Sequence, residues 1–217
     1  MLQYALFDLD GTLTDPAPGI TRCIAYALTK MGVRPPKDLS ELEIFIGPPL
    51  VDKLCEVYGF SRADGERALA YYRERFGSVG LFENRVYDGI PALLSRLCAR
   101  GIRPILATSK PEPYAVKILE HFGLAGYFAF VGGNDMAESR ADKAAVIAFI
   151  RSRFPDLSPQ NAVMVGDRSY DIEGAHAHAL PAVGVLWGFA KPGELQAAGA
   201  DYMAESVPAL GTLIETL

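Results

Sequence analysis

Eight residues, Tyr4-Ala5-Leu6-Phe7-Asp8-Leu9-Asp10-Gly11, combine a short apolar run with two aspartates and a glycine turn. An apolar run of this length that ends in a turn is typical of a strand buried on both faces, as in a parallel sheet. Asp8 and Asp10 stand two residues apart, so in extended chain their side chains lie on the same side, with Leu9 opposite. The segment therefore predicts a buried strand that ends in a pair of carboxylates.

The rest of the chain alternates strand and helix patterns, with one long helical interruption. Further apolar runs predict strands at 102–107, 128–131, 162–165 and 182–186. Apolar residues at helical spacing predict helices at 88–100, 113–122, 141–153, 171–179 and 206–216. Such alternation favours βαβ units and an α/β fold with a doubly wound parallel sheet. We expect a core domain of residues 1–15 and 85–217, and an inserted all-helical cap subdomain of residues 16–84.

The composition of the chain argues against several kinds of binding partner. Lys and Arg total 21 against 26 Asp and Glu, for a formal net charge of −5, which argues against binding a nucleic acid polymer or an anionic membrane. No apolar run approaches the ~18 residues that span a bilayer. The three cysteines, Cys23, Cys55 and Cys98, are scattered, as free thiols are in a reducing cytoplasm. We expect a cytoplasmic protein with a small-molecule partner; the oligomeric state stays open.

Polar residues follow the predicted strands. Thr108, Ser109 and Lys110 follow one of them, and Asp167 and, four residues on, Asp171 follow another. Ligands of open parallel sheets bind beyond the carboxyl ends of the strands. Together with the first two aspartates, up to four carboxylates would crowd one edge and repel each other without a cation. Oxygen ligands of this kind suit Mg²⁺, and since His and Cys do not cluster, zinc is disfavoured.

Carboxylates beside such an ion can carry out phosphoryl transfer. One can attack phosphorus and form an acyl phosphate, while a second can protonate the leaving alkoxide and then activate water. The anionic phosphoryl oxygens need donors. Candidates are the backbone N–H groups around Gly11, the Thr108 hydroxyl, the Ser109 amide and one ammonium group.

Four motifs then resemble the phosphatases of the haloacid dehalogenase superfamily. They are Asp8-Leu9-Asp10-Gly11-Thr12-Leu13-Thr14-Asp15, Thr108-Ser109-Lys110-Pro111, Lys143 within Arg140-Ala141-Asp142-Lys143, and Gly166-Asp167-Arg168-Ser169-Tyr170-Asp171. Their order and spacing agree with the family along the whole chain. The first and fourth motifs together are highly specific, whereas the second and third are weak by themselves.

The resemblance implies roles for four aspartates. Asp8 would be the nucleophile and would bind Mg²⁺ through its other oxygen. Asp10 would be the general acid and base, with its carbonyl on Mg²⁺. Asp167 would be a metal ligand, and Asp171 would support the metal site directly, through water or through Lys143. Dehalogenating members lack a carboxylate at the position of Asp10, so its presence favours phosphoryl transfer.

The same resemblance implies a phosphate site and a cap. Thr108 and Lys143 would hold the phosphoryl group, with Gly11 and Ser109 as further donors. The alternative for Thr108 and Ser109 is a helix-capping role, and for Lys143 an ordinary solvated lysine in a first turn. Residues 16–84 would be the helical cap that closes over substrate and excludes water.

Short segments suggest a branch of the family and candidate substrate contacts. Ile46-Gly47-Pro48-Pro49-Leu50 and Val183–Phe189 are most similar to the phosphoglycolate phosphatase and 5′-nucleotidase-like branch. Lys110, Gly47, Pro48 and Arg22 are therefore candidate specificity residues, although surface placement is the simpler interpretation of Arg22. The substrate expected is a small phosphorylated metabolite of the phosphoglycolate or nucleoside 5′-monophosphate class.

Two other functions fit the same motifs. A phosphosugar mutase uses the same two aspartates but keeps water away from the phosphoenzyme. A catalytically silent binding protein could share the scaffold, although its motifs would normally be eroded.

Overall fold

The chain divides into two compact units. The computed structural model describes residues 2–137, 139–140 and 142–217. The first unit comprises residues 1–14 and 86–217, and the second comprises residues 15–85. The chain passes between them at two short strands that pair with each other, β2 (Thr14–Asp15) and β3 (Arg85–Val86).

A six-stranded parallel sheet forms the centre of the first unit. Its strands are β1 (Tyr4–Phe7), β4 (Arg103–Pro111), β5 (Phe130–Asn134), β6 (Ala162–Gly166), β7 (Ala182–Val185) and β8 (Tyr202–Ala204). Their order is β5-β4-β1-β6-β7-β8, and every pairing is parallel. The chain thus starts in the middle of the sheet and winds outward in both directions, which confirms the predicted doubly wound α/β core.

Helices lie between these strands along the chain, and one more helix follows the last strand. They are α4 (Ile90–Ala99), α5 (Glu112–His121), α6 (Lys143–Arg153), α7 (Ser169–His176), α8 (Glu194–Ala197) and α9 (Val207–Thr216). Three apolar side chains of α6, Val146, Ile147 and Ile150, are fully buried in one core cluster with Leu6 of β1. This packing fixes α6, and hence its first residue, against the sheet.

Some elements of the sheet differ from the sequence prediction. Strand β5 lies two to three residues later than predicted, at Phe130–Asn134 instead of 128–131. Short elements at the far edge, α8 and β8, were not predicted at all. Pro104 is the second residue of β4 and has no N–H to donate, but its carbonyl accepts from the Ala129 N–H at 2.9 Å.

The second unit is helical, as predicted for this segment. It contains α1 (Ala17–Lys30), α2 (Leu50–Tyr58) and α3 (Arg62–Arg75), with a 3₁₀ turn at Leu39–Phe45 and a π-helical turn at Phe76–Gly80. Helix α1 ends before Gly32, whose positive φ of 75° is easily adopted only by glycine. In the part of the chain that the structure describes, no helix is both long and apolar enough to cross a membrane.

Truncation of Ile150 tests the packing of α6 on the sheet. We expect Ile150→Ala to lower the free energy of unfolding by about 2–5 kcal/mol, because a fully buried side chain leaves a cavity. Urea unfolding followed by circular dichroism measures it. Leu186→Ala is the control, since Leu186 is 47% exposed and its truncation should cost no more than about 0.5 kcal/mol. Equal effects of the two substitutions would contradict this packing.

Candidate active site

The carboxyl ends of three adjacent strands bring the predicted residues together. Asp8 directly follows β1, Thr108 and Lys110 lie in the last part of β4, and Asp167 directly follows β6. Because β1 lies between β4 and β6, these strand ends are neighbours. Two helices add further residues: Lys143 is the first residue of α6, and Asp171 lies in the first turn of α7.

Lys143 links three of these elements through its ammonium group. Its Nζ lies 2.8 Å from Asp8 Oδ1, 2.7 Å from Asp171 Oδ1 and 2.6 Å from the Ala107 carbonyl oxygen. Only 4% of the side chain is exposed. Burial alone would lower the pKa of Lys143, but the charges of Asp171 and Asp8 outweigh it and raise this pKa above its ordinary value. Lys143 is thus a buried, charged lysine and not a solvated one.

Among the residues that the structure describes, no lysine or arginine forms an ion pair with either oxygen of Asp167. Its Oδ2 accepts from the Phe189 N–H at 2.8 Å, and its Oδ1 accepts from the Thr12 hydroxyl at 3.3 Å. Burial raises the pKa of Asp167 well above its ordinary value, and the charges of Asp171 and Asp8 raise it further. The carboxylate form of Asp167 is therefore poorly compensated by the protein.

Asp171 is oriented by its own helix. Its Oδ2 accepts from the Arg168 N–H at 3.0 Å, which caps the start of α7, while its Oδ1 contacts Lys143. The pKa of Asp171 is raised to about 6, mainly by burial and also by the charge of Asp8, which together outweigh the lowering effect of Lys143. Even with Lys143 beside it, burial disfavours the negatively charged form of Asp171.

The aspartates fit a divalent cation. One oxygen each from Asp8, Asp167 and Asp171 lies within 4.8 Å of the others. Burial raises the pKa of both Asp167 and Asp171, so their negative charges are incompletely compensated by Lys143. A hard cation such as Mg²⁺ prefers oxygen donors of this kind. Asp8, Asp167 and Asp171 are therefore the residues that could hold it.

Asp10 pairs with a different lysine. Lys110 Nζ lies 2.6 Å from Asp10 Oδ2, and the two side chains are 6% and 16% exposed. Burial raises the pKa of Asp10, against the lowering effect of Lys110. Lys110, a candidate specificity residue, has its ammonium group on Asp10, the predicted general acid.

Glycines allow the aspartates to approach the backbone this closely. A Cβ atom on Gly11 would overlap the carboxylate of Asp167, and one on Gly188 would overlap the same side chain. A Cβ atom on Gly166 would overlap Asp171. Gly11 also has a positive φ of 85°. The glycines beside the aspartates are therefore a packing requirement of the site.

The predicted phosphate donors differ in what the structure shows. Thr108 is buried, and its hydroxyl accepts from the Lys110 N–H at 3.2 Å; α5 begins later, with Pro111 in the capping position, so Thr108 does not cap it. Ser109 is half-buried. The N–H of Gly11 donates to the Thr14 carbonyl at 2.7 Å within the turn, and a phosphate role for the N–H groups around Gly11 stays a prediction. The structure shows a steric role for Gly11.

The remaining specificity candidates lie in the helical unit. Arg22, on α1, is half exposed and forms an ion pair with Glu83 at 2.9 Å. Gly47 and Pro48 lie in the bend that precedes α2, where Gly47 has a positive φ of 105°. Their relation to a substrate stays a prediction.

Two hydrogen-bond donors to Asp167, the Thr12 hydroxyl and the Phe189 N–H, were not predicted from the sequence. Thr12 lies inside the first motif, but a threonine in a turn carries no sign that its hydroxyl bonds to a residue 155 positions away. The Phe189 N–H is a backbone group, so no side-chain type could reveal it. Trp187 adds support, since its indole N–H donates to the Thr12 carbonyl at 3.1 Å.

These features define an α/β enzyme core whose site lies at the carboxyl edge of a parallel sheet. The model of the family described as haloacid dehalogenase-like hydrolase matches residues 5–185. The chain belongs to this family.

Named relatives share most of its length. A 5′-nucleotidase of Pseudomonas aeruginosa is 41% identical over 211 residues, 97% of this chain and 95% of the relative. A phosphoglycolate phosphatase of Cupriavidus necator is 31% identical over 214 residues, 96% and 91% of the two chains. Tyrosine-protein kinase PtkA of Mycobacterium tuberculosis is 39% identical over 189 residues, 87% of this chain; the chain spans 64% of that protein.

A solved structure matches the whole chain. The crystal structure of a predicted phosphatase from Clostridium acetobutylicum is 43% identical, covers 100% of both chains and has a TM-score of 0.95. Family and relatives together confirm the expected enzyme class, a phosphatase of the haloacid dehalogenase superfamily, and its similarity to the phosphoglycolate phosphatase and 5′-nucleotidase-like branch.

Substitution of Gly11 tests the packing of the aspartates. Gly11→Ala should weaken Mg²⁺ binding at least about tenfold, because its Cβ atom displaces the Asp167 carboxylate. Gly101→Ala is a matched control: Gly101 has a similar φ of 78°, but its Cβ atom would meet nothing within 4 Å. Both should lose about 1–2 kcal/mol of stability to backbone strain. Calorimetric Mg²⁺ titration measures the difference, and equal Mg²⁺ affinities would contradict the steric role of Gly11.

Proposed function

We propose that the chain is a cytoplasmic, Mg²⁺-dependent phosphomonoesterase that acts through an aspartyl-phosphate intermediate. The observation that carries this proposal is the pairing of Asp8 with the buried Lys143, beside the carboxylates of Asp167 and Asp171. The named relatives support phosphomonoester chemistry, and three cysteines scattered along the chain suit a reducing compartment.

Asp8 is the proposed nucleophile. One of its carboxylate oxygens attacks phosphorus as the bond between phosphorus and the leaving oxygen breaks. Lys143 holds the Asp8 side chain in place for this attack, since its Nζ contacts Asp8 Oδ1 at 2.8 Å. A preorganised anionic nucleophile avoids the reorganisation that would otherwise slow the step.

Asp10 is the proposed general acid and base. It donates a proton to the leaving oxygen in the first step and accepts a proton from water in the second. Burial raises the pKa of Asp10 and so favours the protonated form that the first step needs.

Lys143, Thr108 and Ser109 are the proposed phosphoryl ligands. Three contacts already occupy the ammonium group of Lys143, so one of them must be exchanged when the phosphoryl group binds. Thr108 and Ser109 lie at the end of β4, the strand beside β1, and their hydroxyl and amide groups can donate to phosphoryl oxygens.

Mg²⁺, when bound, would neutralise charge on the phosphoryl oxygens and on the carboxylates. Asp8, Asp167, Asp171 and the carbonyl of Asp10 are the proposed ligand set. The protein contributes the fixed positions of these oxygens, since Thr12 and the Phe189 N–H orient Asp167.

The helical unit is the proposed cap, with residues 16–84 excluding water from the reaction. We propose a small phosphorylated metabolite as substrate, of the phosphoglycolate or nucleoside 5′-monophosphate class named for two relatives. Gly47, Pro48 and Arg22 are the proposed specificity residues on this unit.

A screen of phosphorylated metabolites tests the function. We expect free phosphate from at least one small phosphomonoester in the presence of Mg²⁺, its loss in excess EDTA, and its recovery when Mg²⁺ is restored. Phosphate release and substrate isomers are measured together. Isomerisation of a sugar phosphate with little free phosphate would identify a mutase, and no turnover across the panel would identify a silent binding protein; either result overturns the proposal.

Removal of the nucleophile tests the mechanism. Asp8→Asn should lower kcat at least about 10³-fold, because an amide cannot form the acyl phosphate. Its thermal unfolding should remain cooperative, since the amide oxygen can still accept from Lys143. Asp88→Asn, at an exposed aspartate, is the control and should leave kcat unchanged. Substantial activity in Asp8→Asn would mean that another group attacks phosphorus.

A further inference from the structure

The pair formed by Lys110 and Asp10 is asymmetric. Asp10 Oδ2 is held at 2.6 Å by the Lys110 ammonium group, and both side chains are largely buried. Asp10 Oδ1 is also buried, and it has no hydrogen-bond partner among the described residues. A buried carboxylate oxygen without a partner is costly, so such an oxygen in a folded enzyme points to a group that arrives with the ligand.

The end of β4 sets the position of Lys110. The pairing of β4 with β5 changes register between Ala107 and Pro111. Thr108 and Lys110 are both buried while Ser109, between them, is half-buried, as expected for extended chain in which alternate side chains share a face. The Lys110 N–H also donates to the Thr108 hydroxyl at 3.2 Å. Lys110 is therefore fixed by its own strand, independently of substrate.

We propose that Lys110 is a positioning residue for Asp10: its ammonium group binds Oδ2 and thereby directs Oδ1 to the leaving oxygen of the substrate. This inference rests on the proposed phosphatase function. It differs from the expectation that Lys110 binds substrate directly, because it assigns the lysine to one proton-transfer step.

In the proposed mechanism, Asp10 exchanges a proton in each of the two steps of hydrolysis. As Asp8 forms its bond to phosphorus, the bond from phosphorus to the leaving oxygen breaks, and the proton on Asp10 Oδ1 moves to that oxygen. Asp10 becomes a carboxylate, and Lys110 compensates its new negative charge. In the second step water attacks phosphorus, its proton moves to Asp10 Oδ1, and the bond between phosphorus and Asp8 breaks.

This role predicts a dependence on the leaving group. An alkoxide is a poor leaving group and needs the proton from Asp10, whereas 4-nitrophenolate leaves without it. Loss of Lys110 should therefore reduce turnover of alkyl phosphates far more than turnover of 4-nitrophenyl phosphate. A lysine that binds the substrate phosphoryl group would affect both substrates alike.

The experiment compares Lys110→Met with Lys110→Arg, and with Lys117→Met as control. Lys117 is exposed on α5 and lies outside the site. For each variant, kcat and KM are measured with 4-nitrophenyl phosphate and with the best alkyl phosphate substrate of the wild type. The ratio kcat/KM reports the first step, the one in which the leaving group departs.

For Lys110→Met we expect kcat/KM to fall about 10²-fold with the alkyl phosphate and less than about threefold with 4-nitrophenyl phosphate, the size of a general-acid contribution. Lys110→Arg should recover part of the alkyl phosphate activity, and Lys117→Met should match the wild type. Equal losses on both substrates, or no loss on either, would overturn the inference.

Thermal unfolding of the Lys110 variants and phosphate release by the wild type and by Asp8→Asn are the controls for this experiment. If thermal unfolding shows that Lys110→Met does not fold, the comparison rests on Lys110→Arg and Lys110→Gln, in which the same selective loss is expected to be larger for Gln. Failure of the wild type to release phosphate from either substrate would refute the proposed function itself. Activity that Asp8→Asn abolishes, but that Lys110 variants lose equally on both substrates, would refute only this inference.

Discussion

The contact of one buried ammonium group with two carboxylates is the interaction on which the rest of the site depends. Lys143 joins Asp8 at the end of β1, Asp171 on α7 and the Ala107 carbonyl of β4. Each of these groups would be costly to bury alone, and a buried charge left without its partner typically costs about 3–5 kcal/mol. The same contacts leave Asp167 undercompensated, so the fold creates a place where a divalent cation is favourable. Charge balance thus couples the packing of α6 to the chemistry of the site.

Close packing of the aspartates explains the glycines of the site better than chain flexibility does. Gly11 and Gly188 have no side chain because the Asp167 carboxylate occupies the space where a Cβ atom would lie. Gly166 leaves the same space for Asp171, and Gly174 leaves it for the stem of Lys143. Motifs in which aspartate adjoins glycine therefore encode contacts between distant segments. The carboxylates are held by neighbouring backbone and lose little entropy when a ligand arrives.

Local signals made the core and the acidic edge predictable, while long-range contacts were not. The buried strand before Asp8 is a continuous apolar run, and α6 carries apolar residues at helical spacing; both lie close to their predicted positions. The edge strand β8 has only three residues and is partly exposed, so its apolar signal is weak. The β5 strand contains two glycines, which favour strands poorly and shifted its apparent position. The ion pair of Lys110 joins residues 100 positions apart, and no spacing in the sequence reveals such a contact.

The two aspartates of the first motif illustrate how environment separates identical groups. Asp8 and Asp10 are two residues apart on one strand end, and local sequence gives no reason for different roles. Their partners differ. Asp8 shares Lys143 with Asp171 within the acidic cluster. Asp10 is held at one oxygen by Lys110, and its other oxygen is buried with no hydrogen-bond partner among the residues that the structure describes. The first arrangement keeps an anion in a fixed position, as a nucleophile requires. The second leaves one oxygen to exchange a proton, as an acid and base requires. The division of labour proposed for Asp8 and Asp10 thus follows from which lysine each side chain contacts.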